Sequence, residues 1–422
     1  MVFLKTALLN LKKNIMMNFL VIVEMTSAII IFMIMISSLL IRYTYYEPFS
    51  TVLNKKGIFY SSTGASTYEL DDSYFSDDTI ELKNRNFLHD DEILPFLHTT
   101  DRIIACNIFG GGYAGSSDEI KSFSYNDELI KLYSPQLAEG RWLNTSDKAE
   151  KVEVVVSDNN YNWKVGDIIE ISSFYDNGTD FGQHTFDAEI VGILKDGEKI
   201  FGIESSIGDE DFNMLYSTYD FEYQETPLLL FSSDYFYAHE ETSSLFNKLW
   251  FALIQYPDET SQEILEQDSV MLSKLGSNAI RITFDVINKN SMDYLFSQFF
   301  DMLPIISIIL ILIITSSISS TAITTRDRLR DYSIYCITGL QWKHCTLINL
   351  IQSALTSVFA LLLSAAAIGI IQLTPLADTV TIIPHLWTFS AVAALILLYI
   401  LISMIMPAII IGKSTPKEIL AK

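Results

Sequence analysis

The segment Gly412-Lys413-Ser414 has the residue types that close a phosphate-binding loop, in which backbone N–H groups and a lysine cradle a nucleotide. Such a loop needs a glycine five residues before its Gly-Lys-Ser, and that position holds Pro407. It also needs a strand before and a helix after, whereas an apolar run precedes Gly412 and Pro416 follows it. Nucleotide binding is not expected here. Other reactive groups are dispersed. Histidines stand at 89, 98, 184, 239, 344 and 385, with no H-E-x-x-H pair to hold zinc. Cys106, Cys336 and Cys345 form no C-x-x-C, and no G-x-S-x-G presents a nucleophilic serine. The acidic stretches 71–78 and 208–212 lack the ligand spacing of a calcium loop and read as solvated. "GGGYAG" at 110–115 reads as a flexible loop. The chain is expected to be a non-enzyme with no metal site.

The elements that would position any function come next. The chain has 422 residues and is 49% hydrophobic, yet its net charge is -23. Both hold if apolar and acidic residues are segregated. Four apolar runs, at 18–42, 302–322, 346–373 and 387–411, are long enough to cross a bilayer, because about 20 helical residues span its core. The first is too long for a signal-peptide core and reads as a retained anchor. Lys5, Lys12 and Lys13 precede the first span; Arg326, Arg328, Arg330 and Lys343 separate the second from the third; Lys413, Lys417 and Lys422 follow the fourth. Basic residues collect on the cytoplasmic side, so both termini and the 323–345 loop are expected there, with the 43–289 domain and the 374–386 loop outside. Residues 43–300 carry 17 Lys/Arg against 45 Asp/Glu, a balance of −28. That charge serves either solubility or attraction of a cationic ligand.

Residues 1–17 place Leu4, Leu8, Leu11 and Ile15 on one helical face and read as a helix along the cytoplasmic interface. The outer domain reads as α+β, an α/β part with a β-rich insertion: strands at 151–158, 167–172, 186–194, 249–256 and 279–285, a turn at Asp176-Asn177-Gly178, and a helix at 260–276. The 290–304 segment has helical spacing and runs into the second span as a stalk, giving a 290–322 unit. Glu24 lies inside the first span, where a carboxylate costs a few kcal/mol; it is paired with a base, snorkels, or handles protons or substrate. Ser/Thr at 315–321 and Gln352 are expected to hydrogen-bond between helices.

The loop "ITTRDRLRDYSIYCITGLQWKHC" (323–345) is the most informative stretch. Ile334, Ile337 and Leu340 share a helical face beside Arg326, Arg328, Arg330 and Asp331, which suits an interface anchor or a helix that docks into a soluble partner. The order of spans and this loop resemble the MacB-type, FtsX-like ABC transporter permeases, whose loop carries R-x-x-E-i-g-x-x-x-a-x-G and a following span Glu. Arg328, Asp331, Tyr332 and Gly339 fall on that pattern, with Asp for Glu and Gln352 at the span Glu. Two further stretches resemble the family: Gly140-Arg141, Gly166 and Gly192 in the outer domain, and Pro407, Pro416 and Leu420 in the closing segment at 412–422 and just before it.

The resemblance implies a non-catalytic permease subunit in a bacterial plasma membrane, paired with a second permease copy or a homologous one. Two copies of a separate ATPase would bind the ATP and Mg, so this chain needs no cofactor. ATP-driven motion would reach the outer domain by mechanotransmission and export or extract an amphiphilic substrate, with a cationic peptide or lipopeptide favoured. The alternative is an FtsX-like regulator of an extracellular hydrolase or sensor kinase. Membrane lipids are expected partners and nucleic acid is not.

Overall fold

The computed structural model describes residues 2–13, 15–62, 103–113, 119–157, 161–176, 181–202, 210–218, 227–238, 248–274, 279–374, 382–383 and 385–412. The acidic stretch 71–78, the turn 177–178, residues 208–209, and Lys413, Pro416 and Leu420 lie outside them. The chain divides into two compact units, Thr44–Tyr294 and the remainder.

In the Thr44–Tyr294 unit a ten-stranded mixed sheet is assembled from β1 (Gly57–Ser62), β2 (Ile103–Tyr113), β3 (Glu119–Tyr125), β4 (Leu137–Gly140), β5 (Glu153–Val156), β6 (Ile168–Asp176), β7 (Phe181–Leu194), β10 (Leu228–Ser232), β11 (Lys248–Gln255) and β12 (Ala279–Thr283). A separate two-stranded ribbon joins β8 (Lys199–Phe201) to β9 (Tyr216–Thr218). One edge of β2 is shared by β11 and, at its far end, β6, while β3 takes the other edge. The ladders β2–β3, β3–β10, β10–β5, β5–β7, β7–β6 and β6–β2 therefore form a closed circuit. Its interior follows from period-two alternation. Val154 and Val156, Ile169 and Ile171, Ala188 and Ile190, and Leu229 and Phe231 pack together with Phe236 from the helix α4 (Ser233–Ala238).

The glycine run is not a loop. Gly110, Gly111 and Gly112 lie in β2, opposite Lys121, Ile120 and Glu119, and Gly111 and Gly112 also face Ser173 and Ser172. Glycine suits a strand where two neighbouring ladders crowd it and the sheet must bend to close.

Two further helices belong to this unit, α3 (Asp127–Leu132), capped by Asn126, and α5 (Gln262–Lys274). A second core is aromatic. Phe49 stacks at 5.2 Å on Phe201 and 6.1 Å on Tyr133, with Tyr216 edge-on at 5.6 Å. Each tyrosine keeps its polar end bonded: Tyr133 Oη donates to the Lys199 carbonyl (2.5 Å), Tyr125 Oη to that of Phe201 (3.0 Å) and Tyr216 Oη to that of Tyr45 (2.7 Å). Buried rings retain their energetic advantage only when such partners exist.

The other unit is helical. α1 (Val2–Lys13) is followed by α2 (Ile15–Leu53), whose residues up to Tyr43 belong here. α6 (Phe284–Asp327) is one unbroken helix that carries Pro304 and enters this unit at Leu295. α7 (Leu329–Ile337), α8 (Trp342–Gln372) and α9 (Leu386–Gly412) complete it. Among the described residues, α2, α6, α8 and α9 are the four helices long and apolar enough to cross a membrane. Val21, Met25 and Ile29 of α2 meet Ile309 and Ile313 of α6, Ala360 of α8, and Leu395 and Tyr399 of α9. Small polar groups stitch the bundle: Thr26 Oγ1 bonds the Ile22 carbonyl at 2.7 Å and the Ala360 carbonyl at 3.3 Å, and Ser364 Oγ lies 3.4 Å from the Thr26 carbonyl. In α1, Leu8 is exposed while Ala7 is buried.

Candidate functional site

The helix α6 ends at Asp327 and α7 begins at Leu329, so Arg328 sits at the break. Its N–H bonds the Thr325 carbonyl (3.2 Å), and its own carbonyl accepts from Tyr332 N–H (2.9 Å), so the chain turns there without losing hydrogen bonding. α7 stops at Thr338. Gly339 adopts φ 104° and sends its N–H to the Cys336 carbonyl, while Leu340 N–H reaches that of Tyr335. This paired closure needs a left-handed residue, which glycine supplies without strain.

Between those ends the residues divide by burial. Arg328 is only 2% exposed, and Tyr332 and Ser333 are buried. Arg326, Arg330, Ile334, Ile337 and Gly339 face outward. Charge alone treats the three arginines alike, and only the family-like pattern singles out Arg328; the structure buries it and leaves the other two exposed. Its Nη1 donates to Gln352 Oε1 at 2.8 Å and its Nη2 to the Asn10 carbonyl at 2.6 Å. Gln352 Nε2 passes on to Asn18 Oδ1 (3.3 Å), and Asn18 Nδ2 to the Leu11 carbonyl (2.8 Å). One guanidinium thus ties the α6–α7 junction to α1, α2 and α8. Neutral acceptors hold this buried cation, an arrangement that costs desolvation and is kept only where several bonds converge.

Tyr332 adds a second tie, its Oη donating to Asn349 Oδ1 of α8 at 2.7 Å. Burial pushes the Tyr332 hydroxyl up to about 12, against the opposing pull of Arg328, so it remains a donor. Asp331 meets Lys13 Nζ at 3.2 Å, but both side chains are exposed and such a pair contributes little, about 0–1 kcal/mol. Cys345 is buried against Tyr332, with Cys336 beside it.

Glu24 does not pair with a base; its carboxylate accepts from the Ser316 hydroxyl of α6. Of the three alternatives for Glu24, the Lys or Arg partner is not met among the described residues; a hydroxyl from the apolar span α6 stands in its place. Pro407 is buried within α9, which continues past it to Gly412.

The glycine and arginine motif of the first unit forms a separate cluster. Gly140 of β4 pairs with Gly192 of β7. A Cβ on Gly140 would stand 2.3 Å from the Val191 carbonyl oxygen, and one on Gly192 2.4 Å from that of Arg141. Arg141 forks onto Glu153 at 2.6 and 3.0 Å, and Asn144 adds N–H bonds of 2.8 and 2.9 Å. Burial would raise the Glu153 carboxyl, but these donors outweigh it and hold the group below its ordinary value. Gly166 N–H bonds the Ile190 carbonyl at 2.8 Å, closing the same corner. Every bond here satisfies another, which is the signature of a structural corner.

No family model matches this chain. No curated protein matches it either. Among solved structures it is similar to the periplasmic region of MacB from Actinobacillus actinomycetemcomitans, at 10% identity and a TM-score of 0.28, covering 58% of this chain and 96% of that one. The extracellular domain of the noncanonic ABC-type transporter YknZ from Gram-positive bacteria gives 13% and 0.26, covering 52% and 92%. A domain of a permease protein from Porphyromonas gingivalis gives 10% and 0.26, covering 55% and 90%.

Proposed function

We propose that the chain is the membrane subunit of an ABC system of MacB type, which receives force from a separate ATPase through α7. The observation that carries this reading is the division of that helix. One side is fastened to three other helices by Arg328 and Tyr332, while Arg326, Arg330, Ile334 and Ile337 remain outward, a mixed basic and apolar surface. A helix that only rested on lipid would need no buried guanidinium at its root. A helix that transmits load does, because a push on the outer face must move the spans and not bend the joint. The basic residues around it favour a cytoplasmic position for this end, where the partner ATPase would bind ATP and Mg. Two permease copies and two ATPase copies make the working unit in this reading. The substrate is amphiphilic, and the acidic outer domain favours a cationic peptide or lipopeptide.

Co-expression of the tagged chain with the ABC ATPase of its own source, followed by purification in detergent, tests the reading. The ATPase is expected to co-purify with the wild type and to be lost with Arg330→Glu plus Ile337→Asp. Retention of the ATPase by that variant, or no association with the wild type, refutes it.

A further inference from the structure

We propose that the helical bundle holds an internal water site directly behind the root of α7, which acts as a hydrated bearing for that helix. A cavity of about 20 Å³ lies among α2, α6, α8 and α9, lined by Asn18, Thr321, Asn349, Gln352, Thr356 and Tyr399 with their small neighbours. Asn349 is 6% exposed, and its Nδ2 has no hydrogen-bond partner. Its amide is oriented by Tyr332, which occupies Oδ1, so the NH₂ end is the one left for the cavity. An orphaned amide donor in such a place costs roughly 1–3 kcal/mol, which a resident ligand would remove.

The lining identifies the ligand. Thr321 Oγ1 donates to the Ser317 carbonyl at 2.6 Å and Thr356 Oγ1 to that of Gln352 at 3.0 Å. Both hydroxyls have spent their protons and offer lone pairs. The site therefore combines acceptors with the Asn349 donor. A bare cation is opposed by that NH₂ and by the Arg328 guanidinium one residue behind Gln352 in the bonded chain. An anion is opposed by the lone pairs. Water is both donor and acceptor, and it fits a cavity above the roughly 10–15 Å³ needed for one molecule. The other orphaned buried atoms of this unit, Ser317 Oγ, Thr325 Oγ1 and Arg328 Nε, belong to the same end of α6 and its junction. Water can exchange partners within picoseconds to nanoseconds, so bonds at the root of α7 could be traded during a stroke without leaving a buried group unpaired.

The test uses the full chain in lipid nanodiscs, with a structure resolving waters and proton-detected NMR transfer from water to the Asn349 side-chain amide. The expected result is oxygen density about 2.7–3.2 Å from Nδ2, within reach of Thr321 or Thr356, together with a water–amide cross-peak. Thr356→Val should weaken that cross-peak while the Tyr332–Asn349 bond persists. An empty cavity, an acyl chain or an ion in it, or a cross-peak unchanged in Thr356→Val would overturn the proposal.

Discussion

Replacing Arg328 with Met separates anchoring from docking, two roles that a basic loop residue could have. The substitution keeps an unbranched apolar stem and removes two charge-assisted bonds, to Gln352 Oε1 and to the Asn10 carbonyl. Hydrogen bonds inside membrane bundles average about 0.6 kcal/mol in double-mutant cycles, and charge-assisted ones are roughly twice as strong. The two bonds together are then worth about 2.5 kcal/mol, reduced by whatever desolvation the cation no longer suffers. Gln352→Leu removes one of them and its onward bond to Asn18. In a double-mutant cycle, followed by unfolding in mixed detergent micelles, Arg328→Met and Gln352→Leu should couple by about 1 kcal/mol. Arg330→Glu, on the exposed face, should leave stability within about 0.5 kcal/mol of wild type while abolishing ATPase association. Additive effects of Arg328→Met and Gln352→Leu would refute the anchoring role. So would an Arg328→Met variant that matches wild type in stability yet loses the ATPase as Arg330→Glu does.

Four other perturbations test the corner of the first unit and the second tie of α7. Gly140→Ala must place a methyl 2.3 Å from a carbonyl oxygen at φ 80°, so it should cost more than about 3 kcal/mol or prevent folding. Gly166→Ala has open space at φ 95° and should cost only the conformational strain, about 1–2 kcal/mol, seen as a modest fall in melting temperature. Glu153 has a lowered folded-state value, so its contribution is present above its unfolded value near 4.5 and fades as pH falls through the folded one. Arg141→Met should destabilise the chain by about 1–2 kcal/mol at neutral pH, discounted for the half-exposed arginine, and the gap from wild type should narrow below pH 4 in acid titration. Tyr332→Phe removes a neutral bond to Asn349 and should lower unfolding stability by about 0.6 kcal/mol.

The four apolar helices were legible because their length and hydropathy depend on no tertiary contact. The strands at β5, β6, β7, β11 and β12 were legible for a similar reason, since alternation survives in the sequence. The glycines at 110–112 misled because their strand role comes from neighbours on both edges, and composition carries only their freedom to turn. The loop pattern singled out Arg328, but its burial was not legible and it was grouped with Arg326 and Arg330 as a docking residue, because the helix breaks at that residue and shifts the face presented afterwards. The aromatic core of Phe49, Tyr133, Phe201 and Tyr216 draws on four distant segments with no shared period. An interhelical bond from the Ser/Thr residues at 315–321 was expected, and Ser316 makes one, but nothing in the sequence named Glu24 as its acceptor.

The circuit of ladders in the first unit is uneven, and that gives it a mechanical consequence. β6 and β7 share nine paired positions, β2 and β6 share three, and β10 and β5 share two, Leu229 with Val156 and Leu230 with Val155. A ring of strands loaded from outside resists peeling, because no ladder has a free end from which to unzip. It yields instead at its shortest join. The two pairs between β10 and β5 therefore act as a clasp: releasing them would open the ring into an ordinary curved sheet while every longer ladder stayed intact.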